Sequence, residues 1–251
     1  RHLRSDVPLC CLLSGGLDST IIAAHAAGLL SPLPLRTYAS GCPDPCPEPT
    51  DLCVARGVAS KLGTVHTEAP VARAHFARRW PELVHDLGVP LSTPNEVAID
   101  AVAARLRTDG NRVALSGEGA DELFGGYEVP LQSAVQHLAS ITGPDRDAWR
   151  QLGGAFQLSN AAWIAPDKKQ SVLSEEAYRR AEGDAHLRDF YITRFEQVSQ
   201  QSDAPSPLET HLRFTRSINL TGLLLRLDQA TMRHGVEGRT PFADQCIAEL
   251  A

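Results

Sequence analysis

The string "LLSGGLDST", residues 12–20, gathers the groups that an anionic ligand needs. Gly15 and Gly16 let the backbone approach a ligand with no side chain in the way. Ser14 and Ser19 bring hydroxyls, and a helix starting after the glycines would add free N–H groups, a combination suited to phosphate or pyrophosphate. Asp18 alone would repel such an anion; with a magnesium ion between them it becomes a ligand that helps hold the pyrophosphate. A strand-to-helix turn capped by serine would account for two glycines by themselves, so the weight falls on the whole string. The string has neither the lysine of a Walker A loop nor the G-x-G-x-x-G of a dinucleotide fold.

A second Gly-rich turn, Ser116-Gly117-Glu118-Gly119, leads into Asp121 and Glu122. A carboxylate beside a cationic nucleophile can move a proton, and a magnesium ion held by two aspartates neutralises charge on a departing pyrophosphate. The same acids would also suit a solvated helix start, favoured by the helix dipole. In "HGVEGRTPFAD", residues 234–244, Glu237 and Arg239 are placed to pair and lock a loop. Together with Asp228 they read either as loop-organising residues or as substrate contacts.

Both turns need elements to hold them. Val7 to Leu13 is a continuous apolar run, expected of a strand buried on both faces. A helix over Asp18 to Leu30, a strand over Leu35 to Ser40, a helix over Asp51 to Leu62 and a strand over Thr64 to Glu68 follow. Arg73 to Leu87 reads as helical, with Pro81 marking a break or a new start. Asn95 to Thr108 forms a clearer helix with Ala98, Ala101, Val102 and Leu106 on one side, and Arg112 to Leu115 a short strand. Such alternation predicts an α/β fold, a parallel sheet with helices on both faces. Right-handed crossovers put both Gly-rich turns at the carboxyl edge, where ligands bind. No strand is expected beyond Val129. Gln132 to Thr142, Asp145 to Phe156, Glu175 to Val198 and Leu208 to Arg233 are helical in pattern, and "SQQSDAPSP", residues 199–207, reads as a loop.

With 43% hydrophobic residues over 251 positions, the chain can bury a sizeable core. A net charge of −6 argues against a protein held to nucleic acid by overall charge, and no apolar run nears the ~20 residues that span a bilayer. A cytoplasmic protein is the plain expectation. Of the six cysteines, Cys10 and Cys11 sit in the first strand as small hydrophobes, while Cys42, Cys46 and Cys53 match no common zinc spacing and read as loop residues. Met232 is the only methionine and both ends fall within patterns, so a segment of a longer protein is expected.

"SGGLDS" after a strand resembles the PP-loop of the N-type ATP pyrophosphatases, which cleave ATP to AMP and pyrophosphate. "LSGEGADELFGGY", residues 115–127, is similar to the signature of the synthetase domain of the asparagine synthetase family, and "RLDQATMRHGVEGRTPFAD", residues 226–244, to a later segment of it. The three occur in the family's order and take in nearly the whole chain. The resemblance implies a single synthetase domain over 1–251, with an α/β nucleotide-binding core at 1–128 and a mainly helical extension at 129–251. It implies that Ser14, Gly15, Gly16, Leu17, Asp18 and Ser19 bind pyrophosphate and that Asp18 and Asp121 hold Mg2+. Leu12, Ser116 and Gly117 would contact the rest of ATP, Ala39 would wall the adenine, and Glu118 would be the general base. The implied small molecules are ATP, aspartate or a related carboxylate, and ammonia. A glutaminase domain, absent from this chain, would belong to the complete protein or a partner subunit, and a homodimer is left open. The stretch "DLGVPLSTPNE", residues 86–96, lacks the arginine that asparagine synthetases usually carry there. That leaves two alternatives, a ring-closing enzyme resembling β-lactam synthetase and a nucleotide-binding subunit without catalysis.

Overall fold

The computed structural model describes residues 1–43, 50–140, 146–162, 164, 168–200 and 206–250. In chain order these form β1 (Leu9–Leu12), α1 (Leu17–Leu30), β2 (Arg36–Gly41), α2 (Asp51–Leu62), β3 (Val65–Pro70), α3 (Arg73–Leu87), α4 (Asn95–Thr108) and β4 (Val113–Leu115). Then come α5 (Ala120–Phe124), α6 (Glu128–Ser140), α7 (Arg146–Ala161), α8 (Lys169–Val172), α9 (Glu175–Arg180), α10 (Ala185–Ser199) and α11 (Pro207–Thr215). The chain closes with α12 (Thr221–Met232), β5 (Glu237–Arg239) and α13 (Gln245–Ala248). It packs as two compact units, Arg1–Ala120 with Gly222–Ala251, and Asp121–Thr221.

The first unit is built on a five-stranded sheet in the order β3-β2-β1-β4-β5, with every neighbouring pair parallel. Successive residues of β1 point to opposite faces, and both faces are covered. Cys11 packs with Ile22, Ala26, Leu52 and Ala55 from α1 and α2, whereas Cys10 packs with Val102 and Leu106 of α4. Burial pushes both thiols far above the ordinary cysteine range, so they act as small hydrophobes rather than nucleophiles. Parallel pairing brings the carboxyl ends of β1 and β4 to the same edge: Cys11 stands opposite Leu115. The second unit is helical, with Leu138, Phe195, Val198 and Phe214 buried together from α6, α10 and α11.

Several expectations are corrected. A strand does follow Val129: β5 pairs with β4, with Leu115 opposite Arg239. Its three residues carry two charges and a glycine, so no run of β-formers marks it. Pro81 neither breaks nor restarts α3, which runs through it. The stretch Glu175 to Val198, helical in pattern, forms two helices rather than one, because Glu182, Gly183 and Asp184 take left-handed backbone angles between α9 and α10. On α4 the buried residues are Val97, Asp100, Val102, Ala103 and Leu106, whereas Ala98 and Ala101 are only half-buried. Thr142, Asp145, most of the 199–207 loop and Cys46 lie outside the described residues. No described helix is long and apolar enough to cross a membrane.

Candidate active site

The loop after β1 is fixed by its own hydroxyls. Ser14 Oγ lies 3.1 Å from Ser19 Oγ, which also donates to Gly16 O at 3.1 Å and accepts from Ser14 N at 3.3 Å. Gly15 has φ +85°, and a Cβ there would meet Val54 Cγ1 at 2.7 Å and Ala55 N at 2.9 Å, so the loop presses onto α2 where only glycine fits. α1 starts from Gly16 without a side-chain cap. Its first turn therefore has no capping side chain at the positive end of the helix dipole. Leu17 is exposed there, and Asp18 sits partly buried in the same turn. Burial pushes the Asp18 carboxyl above its ordinary range, its own backbone amide opposing this in part. Among the described residues no basic side chain pairs with it, and an acid so placed suits a cation.

The turn after β4 meets this loop. Ser116, buried, donates its backbone N–H to Arg239 O at 2.8 Å, and its Oγ accepts from Glu118 N at 3.3 Å. Gly117 is the contact point: a Cβ on it would lie 3.0 Å from Ser19 N and 3.2 Å from Asp18 Cβ. The two Gly-rich turns are therefore in backbone contact at the carboxyl edge, which brings Ser14, Gly15, Gly16, Asp18, Ser19, Ser116, Gly117 and Glu118 together. Leu12 ends β1, its register partner on β2 being Tyr38. Ala39 is buried in the core cluster that also holds Leu13 and Leu52. Asp121 opens the helical unit in the first turn of α5, where Gly125 N and Gly126 N donate to its carbonyl. A Cβ on Gly126 would collide with Asp121 Oδ1 at 1.8 Å, so that glycine makes room for the carboxylate.

Glu118 has a partner that the sequence did not announce. Its Oε1 accepts from Arg226 Nη2 at 2.8 Å, and Arg226 Nη1 donates to Thr93 Oγ1 at 3.1 Å. Arg226 stands 108 residues from Glu118, on α12. A second charged node lies nearby in sequence terms. Asp100, buried on α4, accepts from Arg79 at 2.8 and 3.1 Å and lies 3.0 Å from His234 Nε2. Burial pushes its carboxyl up, but the Arg79 and His234 contacts outweigh that and hold it below the usual carboxylate range. Glu237 and Arg239 do pair, at 2.8 Å, and Arg239 also donates to the carbonyls of His2 and Arg4. That interaction anchors β5 to the start of the chain. Asp228 is exposed on α12.

Comparison with known proteins follows the same lines. Residues 1–251 match the family described as asparagine synthase. The chain is 27% identical over 270 residues to an asparagine synthetase (glutamine-hydrolyzing) of Bacillus subtilis, covering 100% of this chain and 41% of that protein. It is 39% identical over 267 residues to a putative asparagine synthetase (glutamine-hydrolyzing) of Mycobacterium tuberculosis, covering 100% of this chain and 40% of that protein. Asparagine synthetase B of Escherichia coli is 36% identical over 145 residues, covering 50% of this chain and 24% of that protein. The chain thus spans about two fifths of the length of the full-length matches. Matched from end to end, and with both Gly-rich turns in contact at one sheet edge, the chain belongs to the asparagine synthase family.

Proposed function

We propose that this chain is the ATP-using part of an amide synthetase that activates aspartate, or a related carboxylate, as its adenylate. The observation that carries the reading is the backbone contact of Gly117 with Asp18 and Ser19, which sets an anion-binding helix start against a turn bearing a fixed carboxylate. The uncapped start of α1, with the Ser14 and Ser19 hydroxyls, suits the pyrophosphate portion of ATP. Leu12, Ala39, Ser116 and Gly117 line the β1, β2 and β4 ends where the nucleoside would lie in this reading. In this reading Asp18 and Asp121 would be the carboxylates that hold magnesium, and the partial burial of Asp18, with no described basic side chain paired to it, suits that role. Magnesium, when bound, would neutralise charge on the leaving pyrophosphate.

In the first step a carboxylate oxygen of the substrate attacks the α-phosphorus of ATP. The bond to the bridging oxygen breaks, and pyrophosphate leaves with its electron pair. Backbone N–H groups at the start of α1 meet the charge that gathers on it. In the second step ammonia attacks the acyl carbon, AMP departs with the carboxylate oxygen, and Glu118 takes the proton released by the nitrogen. Aspartate yields asparagine. Ammonia would come from a glutaminase domain elsewhere in the complete protein, as the names of the bacterial relatives suggest.

Product analysis of the complete protein with ATP, magnesium, aspartate and ammonium tests this. Asparagine with equal AMP and pyrophosphate is expected. AMP formed only with other carboxylates would keep adenylation and remove aspartate as substrate, and no AMP with any acid would leave a nucleotide-binding subunit.

A further inference from the structure

Glu118 is held at both ends. Its backbone N–H donates to Ser116 Oγ, and its Oε1 accepts from Arg226, whose side chain is 11% exposed. Oε2 is engaged by no described residue. Arg226 extends from α12 next to the buried Leu227, so its base is fixed in the packing. Its other engaged nitrogen reaches Thr93, in the loop before α4. That loop is itself fastened: Glu96 Oε1 accepts from Ser92 N at 2.6 Å, Ser92 Oγ at 2.7 Å and Thr93 N at 3.3 Å. A continuous run of hydrogen bonds therefore leads from Glu96 through Thr93 and Arg226 to one oxygen of Glu118.

We propose that Arg226 is a positioning residue for Glu118, anchoring Oε1 to the Thr93 loop so that Oε2 is presented for proton transfer. The proposal rests on the reading of Glu118 as the base of the amide-forming step. A glutamate has three rotatable side-chain bonds and would otherwise sample many orientations; a charged hydrogen bond of 2.8 Å to a largely covered guanidinium restricts that freedom. The planar guanidinium serves two partners at once, Thr93 and Glu118, which an ammonium on a flexible stem does less well.

The test uses the complete protein with ATP–pyrophosphate exchange for the first step and amide formation for the second. Arg226→Gln should lower kcat for amide formation about tenfold or more while leaving exchange and the KM for ATP within about threefold. Arg226→Lys should recover part of that loss, and Thr93→Val should show a smaller one. In the Glu118→Gln background, Arg226→Gln should cause no further loss in amide formation, because it acts through the carboxylate already removed. Multiplicative losses in the double variant, or losses that follow ATP binding and thermal stability alone, would overturn the proposal. Failure of the base reading shows itself separately, as amide formation that survives Glu118→Gln. In that event amide hydrogen exchange across residues 115–120 still decides the anchoring: several-fold faster exchange in Arg226→Gln supports it, and unchanged exchange overturns it.

Discussion

Gly117→Ala adds one methyl group at the point where the two Gly-rich turns touch. The new Cβ would stand 3.0 Å from Ser19 N, 3.2 Å from Asp18 Cβ and 3.3 Å from Asp18 C. Carbon atoms in ordinary contact sit about 3.5–4.0 Å apart, so the turns must part by roughly 0.5 Å. Two of the three atoms are backbone of the first turn of α1, which cannot swing aside as a side-chain tip would. Overpacking of this kind costs about 1–3 kcal/mol. A 1 Å misplacement can cost about a hundredfold in rate, so half of that predicts a loss of about tenfold. Denaturant unfolding reads the first quantity and ATP–pyrophosphate exchange the second. Gly57→Ala on α2 is the control: nothing lies within 4 Å of its Cβ, and removing a helical glycine should stabilise by about 1 kcal/mol with exchange unchanged. If Gly117→Ala exchanged pyrophosphate at the unmodified rate, the contact between the turns would not be what organises the site.

Gly15→Ala meets both a left-handed backbone and contacts of 2.7 to 2.9 Å, so it should destabilise by about 3 kcal/mol or more, or fail to fold, as read by circular dichroism and denaturant titration. Asp18→Ala should abolish ATP cleavage to AMP while leaving the fold intact, since Asp18 pairs with no described basic residue; retained cleavage measured by AMP release would remove it from the reaction. Asp100 is held below the usual carboxylate range, so its contribution to stability is present above an ordinary aspartate value of about 3.9 and is lost as pH falls through the lower folded value. Asp100→Asn should therefore cost about 3 kcal/mol near neutral pH and flatten the acid side of the stability profile, followed by urea unfolding between pH 3 and 7.

Local patterns in the sequence were enough to locate β1, β4 and their turns. A buried strand followed by Ser-Gly-Gly, and a short one followed by Ser-Gly-Glu-Gly, each carry their signal within about a dozen residues. The crossover rule then placed both turns at one edge, where Gly117 meets Asp18. What escaped was set by partners distant in the chain. Nothing local marks Arg226 as the partner of Glu118, 108 residues away, or His234 as a neighbour of Asp100, 134 residues away. β5 escaped because Glu-Gly-Arg becomes a strand only by adding to an edge that β4 already offers. The break before α10 escaped because Glu182, a residue type that seldom does so, adopts a left-handed angle beside Gly183 and Asp184. Asp100 likewise carries no local signal: it is buried on α4, where Arg79 and His234 compensate its charge.

Adenylation of a carboxylate moves one of its oxygens onto phosphorus, a transfer that an isotope label follows. The complete protein would be supplied with ATP, magnesium, ammonium and aspartate labelled with oxygen-18 in its side-chain carboxylate, and the AMP analysed by mass spectrometry. AMP carrying one labelled oxygen is expected, formed in step with asparagine, because the attacking carboxylate oxygen leaves on phosphorus. Label appearing in orthophosphate with ADP, or AMP free of label while asparagine accumulates, would contradict adenylation.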